Sequence, residues 1–146
     1  MAVIESSSAD RSWAAGIHLA ALSAHVIPFG NVLGPLIVWL IRRESSRFVD
    51  QNGKDAINFQ ISALIYLVVL FAIGFVGFFN SLPIMDSQRF EGANIEMFGV
   101  MPTAFIMFAI LFVLLWLAWF IEVILAAVAA ASGKSFRYFG SIRFIS

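Results

Sequence analysis

The chain of 146 residues contains no cysteine, which excludes a disulfide framework, a thiolate metal site and a thiol nucleophile together. Charge is scarce as well. Nine Lys and Arg balance nine Asp and Glu, 12% of the residues in all, so no net field exists to draw a nucleic acid, and the basic residues are scattered. Nucleic acid is therefore excluded as a partner. Catalytic motifs are missing too: there is no Gly-rich phosphate loop, no His-x-x-x-His pair and no nucleophile elbow. Gly53-Lys54-Asp55 lacks the glycine cradle that precedes the lysine of a phosphate loop, and Asp50-Gln51-Asn52-Gly53 reads as a turn capping the next helix. No catalytic residue, metal or cofactor is expected, and an enzyme is not.

What the chain has in abundance is apolar surface. Hydrophobic residues make up 61%, including sixteen Phe and four Trp, and the mean hydropathy is +0.92. So few polar side chains cannot cover a domain this small, because small domains expose a large share of their residues. The expected fold is an all-α integral membrane helical bundle, one domain over 1–146. A polar tail, 1–12, leads into four hydrophobic segments. The first two, 13–27 and 32–41, are short helices broken by Pro28, Gly30 and Asn31, with Gly34-Pro35 as a further helix-starting signal. At 1.5 Å per residue they extend roughly 22 and 15 Å, short of a ~30 Å hydrocarbon core. A hairpin, a re-entrant pair and one Pro-kinked span all fit. Residues 57–79 and 100–131 are the longer spans, the second exceeding what a bilayer needs. Arg42, Arg43, Arg47 and Lys54 in the connection 42–56, with Lys134, Arg137 and Arg143 after the last helix, place both on the cytoplasmic side. Both termini follow, and the connection 80–99, with Asp86, Glu91 and Glu96, falls outside. A cleaved signal peptide ending at Leu22-Ser23-Ala24 is disfavoured, because its leading residues are not basic and the apolar run continues.

Helices in lipid associate through small residues and hydrogen bonds. Gly16, Ala20 and Ala24 recur every four residues on the first helix, and Ala126 with Ala130, echoed by Ala127 with Ala131, does so on the last; these are the expected packing faces. Asp55, Asn58, Ser62 and Tyr66 form one polar stripe on the third helix, read either as interhelical hydrogen bonds or as the wall of a polar path. His18 and His25 are two helical turns apart and predicted to face one way. Glu122 is the lone carboxylate inside a hydrophobic run and needs a partner or a proton, which a histidine can supply; at the inner interface it needs neither. Trp13 and Trp39 suit the interface, Trp116 and Trp119 suit packing, and the tail 132–146 suits the cytoplasmic leaflet.

Three stretches carry a family resemblance: Pro28-Phe-Gly-Asn-Val-Leu-Gly-Pro-Leu-Ile-Val-Trp-Leu-Ile-Arg-Arg43, Phe48-Val-Asp-Gln-Asn-Gly-Lys-Asp-Ala-Ile-Asn-Phe-Gln-Ile61, and Arg137-Tyr138 with Ile142-Arg-Phe-Ile145. From about Trp13 to Ile145 the chain resembles the bacterial domain-of-unknown-function family 4870, which is similar to the small channel-associated subunit of the chloroplast inner-envelope (Tic) protein translocon. The resemblance implies a multi-span protein of the bacterial inner membrane and a link to protein transport, and it offers no catalytic residues. Phe139 stands where family members usually have Pro, and 80–99 is longer than their usual turn. The expected function is a scaffold or accessory subunit without catalytic activity, its partners the lipid bilayer and a second copy or another membrane-complex protein. The alternative is a transport or protein-translocation module lined by Asn58, Ser62, Tyr66, Glu122 and the histidines. A metal or haem site on His18 and His25 is a third reading.

Overall fold

The computed structural model describes the backbone of residues 6–81 and 93–146 and, within these, the side chains of 6–79, 103 and 105–146. Every regular element among the described residues is helical: α1 (Ser8–Ala20), a 3₁₀ turn (Ala21–His25), α2 (Gly30–Arg42), α3 (Arg47–Ser81) and α4 (Ala93–Ala131). The helices form where the sequence supplies caps. Ser7 and Asp10 make a reciprocal capping box at the start of α1, and the Ser46 hydroxyl accepts the Val49 N–H at 3.2 Å at the start of α3. After α4 the chain turns at Gly133, whose φ of 76° suits a residue without Cβ. There the N–H of Lys134 reaches the Ala129 carbonyl and that of Gly133 the Ala130 carbonyl, which satisfies the last turn.

Two compact units result, residues 1–65 with 119–146, and residues 66–118. In the first, α1 and α2 form an antiparallel hairpin around the 3₁₀ turn. A Cβ on Gly34 would collide with the Ala20 carbonyl oxygen, and one on Gly30 with the backbone of Ser23 and Ala24. The two glycines therefore let one backbone lie against the other. The Ser23 hydroxyl closes the corner, within 2.7 Å of the Ala20 carbonyl and 2.8 Å of the Gly30 carbonyl. Ala14, Ile17 and His18 form the buried face of α1, continued by Ala21 of the 3₁₀ turn. Ile17 packs with Trp39, Val49, Ala56 and Ile57, Ala21 with Phe59, Val123 and Ala126, and Ala14 with Phe48 and Ala130.

α3 begins ten residues before the expected span at 57, and Asp50-Gln51-Asn52-Gly53 lies inside the helix instead of forming a turn. The reason is tertiary. Asp50 accepts the Trp39 indole N–H at 3.0 Å and pairs with Lys54 at 2.9 Å, while Gly53 lies under the Trp39 ring, where a Cβ would collide with it. Residues that favour turns in isolation are held helical by these contacts.

In the second unit Phe71 meets Phe108 and Phe112 edge to face, with ring centroids 5.6 and 6.2 Å apart. Phe105, Ile106, Ala109, Ile110, Val113 and Leu114 line an open, wholly apolar groove along α4. Two stretches, Arg47–Phe79 and Phe105–Ala131, are long and apolar enough to cross a membrane, and only 6% of the most apolar window of each is buried within the protein. A core helix of a water-soluble protein hides such residues. α1 and α2, 13 residues each, fall short of the ~20 needed to span alone, so two of the four expected hydrophobic segments qualify as spans. Of the expected acidic connection 80–99, residues 82–92 lie outside the described residues, as do residues 1–5 of the polar tail; from Ala93 the backbone is already helical.

The glycine contacts generate a paired test. Gly34→Ala should lower stability by at least about 2 kcal/mol, because the obstructing atom is backbone and cannot swing aside. Gly16→Ala, with nothing within 4 Å of the added Cβ, should be neutral or stabilising by up to about 1 kcal/mol. Thermal unfolding of the two variants in detergent measures the difference.

Candidate functional site

Of the polar side chains buried in the first unit, His18, Asn58 and Ser62 contact the C-terminal tail. Tyr138, buried, stacks on Phe59 with ring centroids 4.0 Å apart and meets Phe136 edge-on at 5.2 Å. Its hydroxyl lies 2.8 Å from Nδ1 of His18, and Nε2 of His18 lies 3.1 Å from Oδ1 of Asn52. The Asn52 amide nitrogen donates to the Phe48 carbonyl at 2.9 Å. That last bond sets the direction of all the others. With its nitrogen committed to Phe48, Asn52 presents oxygen to His18, so Nε2 carries the proton, Nδ1 accepts, and the Tyr138 hydroxyl donates. The imidazole is thereby assigned as neutral. Burial pushes the His18 pKa down from its ordinary 6.5 to about 4, with the Asn52 hydrogen bond opposing. The Tyr138 hydroxyl is pushed up, first by burial and then by the charges of Glu122 and Asp55.

Six residues along α3 from Asn52, a second set of contacts grips the tail backbone. Oδ1 of Asn58 accepts the N–H groups of Phe144 and Ile145, both at 2.9 Å, and its Nδ2 donates to the Ile145 carbonyl at 2.9 Å. The Ser62 hydroxyl accepts the Ile142 N–H at 2.8 Å and donates to the Asn58 carbonyl at 2.7 Å. Asn58 and Ser62, read from sequence as a polar stripe, thus bind main chain of the tail. Asp55, from the same stripe, accepts instead from Gln51 at 3.2 Å, and Tyr66 is half-exposed in the other compact unit.

The two histidines are not brought together. The change to 3₁₀ winding at Ala21 advances each residue by about 120° in place of 100°, and His25 emerges on the surface, its Nδ1 3.0 Å from the Leu22 carbonyl and its ring 6.2 Å from Trp119. Glu122 lies on α4 and accepts a backbone hydrogen bond from Phe139, while among the described residues its buried Oε2 has no partner. Gln60, fully buried, accepts the Trp119 indole N–H at 2.8 Å through Oε1, and among the described residues its Nε2 has no partner. Of the predicted packing residues, Ala126 and Ala130 are buried and Ala20 lies against Gly34, whereas Ala24 is exposed and Gly16 meets nothing. Among the described residues no group of three His, Cys, Asp or Glu is placed to hold a metal ion.

Sequence reasoning missed Asn52, Gln60 and Tyr138. Asn52 was hidden by reading 50–53 as a turn. Gln60 was flanked by the more obvious Asn58 and Ser62. Tyr138 was grouped with the interfacial aromatics of the tail, although its hydroxyl among several Phe was the available signal.

Two predictions follow from this geometry. The unfolded chain takes up a proton on His18 below pH 6.5 and the folded chain only near pH 4, so stability should hold above pH 6.5 and fall by about 3 kcal/mol on descending to pH 4. Melting in detergent across that range should show the fall, and His18→Gln should flatten it. Asn58→Ala removes three bonds to the tail and should speed carboxypeptidase trimming of residues 142–146 by roughly tenfold or more, with an intact chain as substrate and mass spectrometry as readout.

The model of the magnetosome magnetite crystal formation protein family matches residues 9–145. No curated protein and no solved structure matches the chain. The family match corrects the resemblance to family 4870 and the Tic translocon subunit. The residues that carried that resemblance include Gly30, Gly34, Trp39, Asn52, Gly53, Asn58 and Tyr138, the ones that close the hairpin and hold the tail. Matched over nearly its whole length, the chain belongs to the MamF/MmsF family of magnetosome magnetite crystal formation proteins.

Proposed function

We propose that the chain is a non-catalytic accessory or scaffold protein of the membrane in which magnetite crystals form. The family supplies the process, and the two long apolar helices supply the membrane. The observation that carries the scaffold role is where the buried polar groups are spent. His18, Asn52, Asn58, Ser62 and Tyr138 are bonded to one another or to the tail backbone. Such groups specify one arrangement of helices and tail, and the exposed apolar faces remain for lipid, a second copy or another protein of the same membrane. In this reading the chain is multi-pass, with both ends on the cytoplasmic side.

A second reading, a polar transport path, is favoured by one observation: among the described residues, Glu122 Oε2 and Gln60 Nε2 are buried atoms without a hydrogen-bond partner. A buried acceptor atom and a buried donor atom left unbonded are what a hydrated path would use.

The two readings diverge under substitution. In magnetite-forming cells lacking the chain, a scaffold requires that Glu122→Gln restore crystal size and number, because the neutral amide keeps the shape and removes a buried charge. Asn58→Ala, which loosens the tail, should fail to restore them at equal protein level. A transport path requires instead that Glu122→Gln fail to restore them at equal protein level. Electron microscopy of the crystals, with immunoblots of membrane fractions, decides.

A further inference from the structure

The hairpin of α1 and α2 carries charge at one end only. Between Arg11 and Arg42 the sequence has no Lys, Arg, Asp or Glu. The two open ends lie together, because the Arg42 guanidinium carbon stands 4.0 Å from the centre of the Trp13 ring. The closed end presents Val26, Ile27 and Phe29, with Val26 84% and Phe29 65% exposed, and Leu33, Ile37 and Ile41 continue that apolar surface along the outward side of α2. From Gly30 to Arg42 the rise is about 18 Å, more than half of a ~30 Å hydrocarbon core and well short of crossing it.

Three observations place lipid around the closed end. The first is its level beside the long helices. Ala14, near the open end, packs with Phe48 and Ala130, whereas Ala21 packs with Phe59 and Val123, and the His25 ring lies 6.2 Å from that of Trp119. The hairpin therefore runs alongside α3 from its charged first turns into the part beyond Asp55, which has no charged residue as far as Ser81. The second is the backbone of the turn. The N–H groups of Val26 and Ile27 donate to the Ser23 carbonyl at 3.0 and 2.8 Å, that of Gly30 donates to the Ile27 carbonyl at 2.9 Å, and Pro28 has none. Such internal bonding is what non-helical backbone needs at membrane depth, where water does not replace it. The third is Phe29, whose φ of 58° is a conformation that disfavours a bulky side chain and that Gly or Asn usually takes. A large apolar ring is kept there, and it is exposed.

We propose that the hairpin enters the cytoplasmic leaflet alone, with Val26, Ile27 and Phe29 among its acyl chains and Arg11, Arg42 and Arg43 among its headgroups, and that it thereby favours membrane convex on the cytoplasmic side. Two helices added to one leaflet and none to the other enlarge the first, and a bilayer relieves that mismatch by curving toward the enlarged leaflet; helices inserted at one face are curvature-sensitive for this reason. Cations confined to the open end suit anionic headgroups. The inference rests on the membrane reading of α3 and α4, and it adds to the scaffold role an effect on membrane shape.

Because the chain has no cysteine, single cysteines can be labelled without background. In vesicles of phosphatidylcholine with phosphatidylglycerol, spin labels at Val26→Cys, Ser45→Cys and, as a reference within α3, Val68→Cys report contact with oxygen, which concentrates in hydrocarbon, against a water-soluble nickel chelate. The oxygen-to-nickel ratio at Val26→Cys should exceed that at Ser45→Cys by roughly tenfold. Water contact at Val26→Cys with lipid contact at Val68→Cys overturns the insertion of the hairpin alone; water contact at both overturns the membrane reading with it. Modification of Val26→Cys by a membrane-impermeant maleimide from the side opposite Ser45→Cys also overturns the proposal, because the hairpin would then cross. For the effect on shape, an impermeant fluorescent maleimide outside giant vesicles marks Ser45→Cys only in molecules whose cytoplasmic face is outward. On tubes pulled outward these should be roughly twofold denser, relative to lipid, than on the parent vesicle. Adding Val26→Asp should reduce the excess, and Phe29→Ser takes its place should Val26→Asp not fold. Equal density on tube and vesicle, or an excess unchanged by the variant used, overturns the proposal.

Discussion

A hydrogen-bonding group buried in so apolar a chain has only the chain itself to satisfy it, and the first compact unit is organised by that constraint. Asn52 must spend its nitrogen on the Phe48 carbonyl, which turns its oxygen to His18, which turns Nδ1 to the Tyr138 hydroxyl. One committed bond inside α3 thereby fixes the orientation of a side chain on α1 and of another on the tail. Each bond is worth on the order of 1 kcal/mol when made, and more is lost when a buried partner is stranded. The arrangement is strict because its failures cost more than its successes contribute.

The same economy explains why backbone and side chain are mixed in holding the tail. Residues 142–145 bring main-chain N–H and C=O groups against α3, whose own backbone groups are engaged within the helix, and among the described residues no strand pairs with them. Asn58 and Ser62 receive them instead. Recognition of main chain leaves the tail's outward side chains unconstrained, and Phe139, Ile142 and Phe144 remain exposed. Tyr138 supplies the side-chain anchor, clamped between Phe59 and Phe136. Where helices meet each other, the contact is made by small residues: Gly30 and Gly34 against the 3₁₀ corner, and Ala126 and Ala130 in the clusters of Ala21 and Ala14. Packing brings the backbones close, and hydrogen bonds set their register.

Helicity, the two long apolar segments and a break at Pro28 were legible from composition and punctuation, because they depend on residues adjacent in sequence; Gly30 and Asn31, read as part of the break, instead open α2. The polar stripe was legible as a stripe, and Asn58 and Ser62 do share a role. What they bind was not, since their partners in the tail lie 80 and 86 residues away along the chain. Two local readings failed for identifiable reasons. Seven residues place His18 and His25 on one face only if the helix stays α, and 3₁₀ winding after Ala20 rotates His25 away. Asp50 to Gly53 has turn chemistry, but Trp39 takes up the carboxylate and covers the glycine.

Composition and the spacing of apolar residues by themselves determined that this chain is helical and carries helices suited to lipid, because hydrophobic burial and helix length are sums over neighbouring residues. Tertiary structure alone decided which polar groups meet, that the tail is gripped by α3, and that a histidine, a tyrosine and an asparagine from three separate segments form one directed chain. Those outcomes depend on distances of about 3 Å between residues far apart in sequence, and no local pattern encodes such distances.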